Sequence, residues 1–216
     1  MKIPDIRGLK YPDEFVIRFF FKSSHHDRCG RIVELGCGNG NNLMLYKAYG
    51  WDVTGVDICA EALSNARHNL DGTGHFIQHD LVRGIPDKID APIDVLLMPS
   101  SLYYIPRAAF IGCLRQLAPK LAQNADIFIS LRTPEDYRFG RGIPSEANGF
   151  VLNTPETAEE GLLNVFYFEH EVVDMLCDEL GMAQNSLTVL HRRFDNIQSG
   201  QLVFGNSDLI IWGKLP

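Results

Sequence analysis

The chain has 216 residues, 45% of them hydrophobic, which suits one α/β domain with a full core and a modest extension. Lys plus Arg is 20 and Asp plus Glu 27; the resulting net charge of −7 is the wrong sign for a general binder of phosphate backbones, so a nucleic-acid partner is disfavoured. Cys29, Cys37, Cys59, Cys113 and Cys177 are odd in number and form no C-x-x-C pair, which suggests neither a disulfide framework nor a zinc site.

No apolar run approaches the ~18 residues that span a membrane. The start, Met1-Lys2-Ile3-Pro4-Asp5, lacks the apolar centre of a signal peptide, so a reducing, cytoplasmic setting is expected. Residues 1–12 read as irregular, broken by Pro4, Gly8 and Pro12. Pro12-Asp13-Glu14 then makes a favourable first helical turn. Phe15, Val16, Phe19 and Phe20 form its apolar face, with Arg18 and Lys22 outside it, and such a helix is expected to cap a sheet edge. His25 and His26 fall in a polar linker; two adjacent histidines cannot face one metal as an i, i+4 pair can, so a solvated loop is expected.

The organising stretch is Arg31-Ile32-Val33-Glu34-Leu35-Gly36-Cys37-Gly38-Asn39-Gly40. A β-branched apolar run, a glycine turn and a helix from Asn41 to Ala48 make the entry half of a nucleotide-binding α/β unit. A dinucleotide G-x-G-x-x-G would need its third glycine at position 41, which is Asn41; here that glycine comes one residue earlier, at Gly40. An acid, Glu34, stands two positions before the first glycine. The next strand, Asp52 to Asp57, also ends in an acid, where a doubly wound fold hydrogen-bonds ribose hydroxyls. An isolated glycine run would mean only a tight turn, but here strand, turn, helix, strand and acid fall in order.

This E-x-G-x-G-x-G pattern resembles motif I of the class I S-adenosylmethionine-dependent methyltransferases. The resemblance implies S-adenosyl-L-methionine as cofactor, held by Glu34, Gly36, Gly38 and Asp57, with Cys37, Asn42, Ile58 and Met98 beside them. It also implies an α/β fold: a doubly wound, mostly parallel seven-stranded sheet with a C-terminal antiparallel hairpin and helices on both faces. Tyr11 and Arg18 lie in a Y-P-x-E-F-x-x-R segment similar to one found before motif I in some bacterial members, which would bring them to the methionine carboxylate.

After Asp57, a helix is expected over Ala60 to Asn69 and a third strand over His75 to Leu81. By the resemblance, Asp80 accepts from the adenine amine and the Leu81 N–H bonds a ring nitrogen; the alternative for Asp80 is an acid that caps the following turn. Ile93 to Met98 is the fourth strand. Amine methyltransferases often follow it with (N/D)-P-P-(Y/F), whereas this chain has Met98-Pro99-Ser100-Ser101. That departure argues against adenine, cytosine or glutamine amide acceptors. Ser100, Tyr103 and Tyr104 are the candidate catalytic residues, the tyrosines offering π faces to a cation and hydroxyls to a substrate. Packing at a helix entry is the other reading of the same pair.

A helix from Arg107 to Ala122 and a fifth strand from Ala125 to Leu131 follow. Residues 132–164 are rich in proline and glycine and read as an irregular insertion covering the substrate. Arg132, Tyr137, Arg138 and Arg141 form a local positive cluster there, suited to a phosphate or carboxylate on the acceptor. Glu135, Asp136 and Glu146 would equally neutralise it. Glu169 to Leu180 reads as an amphipathic helix, and Asn185 to Asp195 with Asp208 to Lys214 as the final hairpin.

The expectation is thus a single domain, 1–216, with an N-terminal helical extension over 1–30 and a cover over 132–164. It would methylate O or N of a small polar molecule, with anionic ones included, such as a sugar or nucleotide sugar. Protein or RNA methylation and a catalytically silent cofactor-binding module are the alternatives. The sequence leaves the base open among His79, His170, Tyr104 and carboxylates of the cover.

Overall fold

The computed structural model describes residues 3–153, 159–198 and 200–216. Ten strands and five α-helices lie among them. Seven of the strands form one sheet: β1 (Arg31–Leu35), β2 (Asp52–Asp57), β3 (His75–Gln78), β4 (Ile93–Pro99), β5 (Leu121–Arg132), β9 (Thr188–Gln198) and β10 (Gln201–Lys214). Their order is β3-β2-β1-β4-β5-β10-β9. The first five run parallel, and β10 runs antiparallel to both β5 and β9. Strand order reverses between β1 and β4, the switch point where open α/β sheets bind ligands beyond the strands' carboxyl ends.

Apolar runs buried on both faces explain the parallel centre: Ile32, Val33 and Leu35 of β1 and Leu96, Leu97 and Met98 of β4 are fully covered. One face packs α4 (Arg107–Leu117) and α5 (Glu169–Leu180) around Leu96, Met98, Ile129 and Ile211. The other packs α1 (Glu14–Lys22), α2 (Asn41–Ala48) and α3 (Ala60–Asn69) around Val53, Leu97, Phe128 and Ile210.

Several expectations change. Helix α1 covers a face of the sheet rather than its edge: the Phe19 ring lies 5.4 Å from Phe128 and 6.4 Å from Trp212. Its apolar stripe, Phe15, Val16, Phe19 and Phe20, is too wide for an edge and is almost wholly buried. His25 is not a solvated loop residue. It is buried, with Nδ1 2.9 Å from the Tyr46 hydroxyl and Nε2 3.1 Å from Asp126 Oδ2, and burial lowers its pKa. Helix α4 stops at Leu117 because Pro119 cannot continue it, and β5 begins four residues before the expected Ala125. Strand β3 ends at Gln78, where Asp80 turns the chain by accepting from the Val82 N–H at 3.0 Å.

The segment after β5 is more regular than its composition implies. It forms an antiparallel three-stranded sheet of β6 (Ile143–Glu146), β7 (Gly149–Val151) and β8 (Leu163–Val165). At the other end of the chain, residues 5–13 strap across α2 and α3. The Asn69 side chain bonds Arg7 N (2.8 Å) and Arg7 O (2.9 Å), Asn41 donates to Tyr11 O at 3.1 Å, and Asp13 N donates to Asn42 Oδ1 at 2.8 Å.

Candidate active site

The site begins where β1 runs out. Gly36 adopts φ +72°, and a Cβ there would collide with the Ser101 side chain, so only glycine makes this turn. The turn is held from three sides. Gly36 N donates to Val56 O at 2.8 Å, Ser101 Oγ to Leu35 O at 2.8 Å, and Gly38 N to Asp57 Oδ2 at 2.8 Å. Beyond Gly38 the space is open, so a ligand can approach the backbone. Asp57 Oδ1 accepts from Cys59 N at 2.8 Å, which leaves each oxygen a further lone pair for hydroxyl donors.

Two cavities meet over this turn. The first, about 460 Å³, is walled by Leu9, Tyr11, Asp13, Glu34, Gly36, Cys37, Gly38, Asn39, Asn41, Asn42, Pro99 and Ser100. The second, about 510 Å³, is walled by Gly36, Asp57, Ile58, His79, Asp80, Leu81, Val82, Ser100, Ser101, Tyr104, Ile105 and Leu162. Gly36 and Ser100 belong to both, so the two form one groove across the switch point.

Glu34 lines the first cavity and is only 1% exposed. Its Oε1 accepts from Asn42 Nδ2 at 2.7 Å, while Oε2 has no partner among the described residues. Burial pushes its carboxyl up to about 8, with Asp57 and Asp13 adding to the rise against the Asn42 hydrogen bond. A buried carboxyl with a free oxygen is matched to a cationic group such as an α-ammonium. With the open backbone at Gly38 and the free lone pairs of Asp57, these residues fit an aminoacyl nucleoside such as S-adenosyl-L-methionine.

Ser100 holds a positive φ of 49°. Its N donates to Ser130 O at 3.1 Å and to Ser130 Oγ at 3.0 Å, and the two hydroxyls lie 3.1 Å apart. Tyr104 lines the second cavity, its ring 4.4 Å from that of Tyr103; burial raises its phenol, and the Arg132 charge opposes the rise.

Most of the candidate residues come together in this groove, but several do not. Met98 is fully buried in β4, under α4. Arg18 is exposed and lies over the Phe15 ring at 5.0 Å, away from the cavity that Tyr11 borders. Tyr103 is almost wholly buried and lines neither cavity, and the Arg132 guanidinium stands over one face of its ring at 4.2 Å.

The anticipated positive cluster is neutralised from within. Arg132 is buried and holds Glu159 through two nitrogens, at 2.5 and 2.7 Å, and also bonds Asn164. Arg138, 2% exposed, pairs with Asp136 at 2.9 Å. The Tyr137 ring lies 4.3 Å from the Arg138 guanidinium and 5.6 Å from that of Arg141, which is exposed. A guanidinium can be buried only against a carboxylate, so Arg132 and Arg138 serve the cover's interior first. Sequence reasoning misses Glu159 in this role, and Leu9, Asp13 and Leu162 among the walls. Asp13 alone carries a signal, as the acid before an apolar helical stripe; it caps α1 by accepting from Phe15 N at 2.8 Å.

Fold and groove define a nucleotide-binding α/β domain of the doubly wound type. Residues 32–124 match the family model for a methyltransferase domain. Over 76 residues, 34% of this chain and 28% of the relative, the sequence is 37% identical to the trans-aconitate 2-methyltransferase of Paracidovorax citrulli. The chain spans 28% to 58% of the length of the curated relatives it matches. Among solved structures, a SAM-dependent methyltransferase from Methanosarcina mazei matches with a TM-score of 0.64 at 20% identity, covering 86% of this chain and 92% of that one. Magnesium protoporphyrin IX methyltransferase from Synechocystis, with bound SAM, gives 0.57 at 13% identity, covering 94% and 77%. The match to a methyltransferase domain covers residues 32–124, and the fold is that of the solved S-adenosylmethionine-dependent methyltransferases; S-adenosylmethionine is the cofactor the groove fits. Among the described residues, no helix is long and apolar enough to cross a membrane.

Proposed function

We propose that this protein transfers a methyl group from S-adenosyl-L-methionine to an oxygen or nitrogen of a small polar molecule, with sugars and nucleotide sugars the first candidates. The observation that carries this reading is the meeting of the two cavities at Gly36 and Ser100, with Tyr11 in the wall of one and Leu162 in the wall of the other. Cavities of about 460 and 510 Å³ suit a cofactor and a small acceptor, and the net charge of −7 disfavours RNA.

The cofactor, when bound, supplies an electrophilic methyl on a sulfonium. The chain's own residues bind and orient. Glu34 gives up its proton and faces the α-ammonium. Asp57 accepts from the ribose hydroxyls. Asp80 and the Leu81 N–H take the adenine edge. Ser100, fixed by Ser130, borders the methyl end, and Tyr104 presents a neutral phenol there.

A second reading is methylation of a carboxylate. It is favoured by the Arg132 fork beneath Tyr104, which already holds the Glu159 carboxylate, and by the short match to a trans-aconitate methyltransferase. Calorimetry with S-adenosylmethionine, S-adenosylhomocysteine and NAD comes first. The expected result is micromolar binding of the first two alone, and binding of NAD alone would sink the proposal. S-adenosylhomocysteine production is then followed with hexoses, nucleotide sugars, phenols, amines and trans-aconitate. Cofactor binding without turnover on every class would favour the silent module.

A further inference from the structure

The first cavity is walled by two carboxyl groups, Asp13 and Glu34, and no lysine, arginine or histidine is among the described residues that line it. Arg18, the cation expected to meet a methionine carboxylate, is exposed and lies over the Phe15 ring instead. One side chain holds the two acids close. Asp13 N donates to Asn42 Oδ1 at 2.8 Å, and Asn42 Nδ2 donates to Glu34 Oε1 at 2.7 Å. Asp13 Oδ1 accepts from Phe15 N and Val16 N at 2.8 and 3.2 Å, while its Oδ2 has no hydrogen bond among the described residues. Glu34 Oε2 is buried and equally without a partner. Each acid thus keeps one oxygen free in the same cavity.

Most groups that could receive an anion there are already engaged. Gly36 N and Cys37 N both donate to Val56 O, Gly38 N to Asp57, and Gly40 N to Cys37 O. Asn41 Nδ2 donates to Tyr11 O and Asn42 Nδ2 to Glu34. An ammonium in this cavity meets two carboxyl groups as charge-assisted partners. A carboxylate in the same space meets two like charges and no counter-ion.

We propose that this cavity recognises the amino-acid end of its ligand by the amine alone, the ammonium sitting between Glu34 and Asp13 while the carboxylate goes unread. The ligands it takes are therefore S-adenosyl compounds with a free amine, with or without a carboxylate. This rests on the cofactor reading above and deepens it. It also makes Asp13 a ligand-binding residue, although it precedes the stretch that matches the methyltransferase model.

The test needs no acceptor. Calorimetry at neutral pH compares S-adenosylhomocysteine, its analogue without the carboxylate, its analogue without the amine, and methylthioadenosine, which lacks both. The expected result is that loss of the carboxylate changes affinity less than about threefold, whereas loss of the amine costs at least about tenfold and leaves an affinity like that of methylthioadenosine. Asp13→Asn keeps an oxygen to cap α1 and the N–H that bonds Asn42. It should weaken the two amine-bearing ligands about tenfold and leave the other two unchanged. A carboxylate loss that costs tenfold, as when the first N–H groups of α2 hold that group, overturns the proposal. So does a variant that binds all four ligands like wild type, or all four equally worse. If the variant does not fold, the wild-type series still decides. Absence of heat with every ligand, methylthioadenosine included, would instead overturn the cofactor reading itself.

Discussion

Replacing Glu34 by glutamine should stabilise the ligand-free protein at neutral pH while removing its grip on the cofactor. The Glu34 carboxyl moves from an ordinary 4.5 to about 8 because it is buried. Between those values the folded chain holds a proton that the unfolded chain has lost, so stability falls as pH rises. From pH 5 to pH 7 the fall integrates to roughly 2.5 kcal/mol, or about 5–10 °C in Tm for a chain of this size. The side-chain amide in Glu34→Gln would still accept from Asn42 and would not titrate. Thermal unfolding of both proteins at half-unit steps from pH 5 to 8 gives the difference curve; His25 and Asp208 titrate in both and cancel. The variant's relative Tm should climb over that interval, and S-adenosylmethionine should raise the wild-type Tm far more than the variant's. At pH 7, cofactor binding should expel close to one proton, read from heats in buffers of different ionisation enthalpy. Parallel curves with no proton release would refute the assignment of Glu34 as a buried acid that meets an ammonium.

Asp57→Ala should reduce S-adenosylmethionine affinity at least tenfold, because it removes both a ribose acceptor and the anchor of Gly38 N; unchanged affinity in calorimetry would count against the ribose role. Glu159→Gln leaves the buried Arg132 without its counter-charge and should cost about 3 kcal/mol in urea unfolding, an effect expected even without any acceptor present. His25 is held neutral by burial, so below about pH 6.5 the unfolded chain takes up a proton that the folded one does not. Its share of stability is intact above that pH and declines in acid. His25→Gln should show a shallower loss of Tm from pH 6.5 to 5, and an identical slope would show that His25 is not the group responsible.

The parts of the fold legible in the sequence are those set by short-range rules. The β1 turn, α2, β2 and α3 follow from glycine spacing and from apolar runs that end in acids, and their boundaries match the structure. The cover is unreadable because its strands are three or four residues long and β6 contains Pro144, so no period can build up. The same limit applies to charge. Arg132 and Arg138 look like a ligand's counter-ions when only neighbours in sequence are visible. Glu159, which neutralises Arg132, lies 27 residues away and meets it only through the fold. In the sequence Asp208 is merely the start of a strand; its place between two arginines depends on the register of β10 against β5 and β9.

The strap over α2 and α3 has a consequence for how ligands come and go. The stretch that matches the methyltransferase model starts at Ile32, yet part of the cavity wall is built from Leu9, Tyr11 and Asp13. Asp13 N donates to Asn42, and Asn42 to Glu34, so the strap and the buried acid of the cavity share one chain of hydrogen bonds. A change in the charge or partners of Glu34 is therefore felt by the strap through a single side chain. Removing residues 1–12 would take Leu9 and Tyr11 from the wall and leave Glu34, Gly36 and Gly38 in a more open cavity.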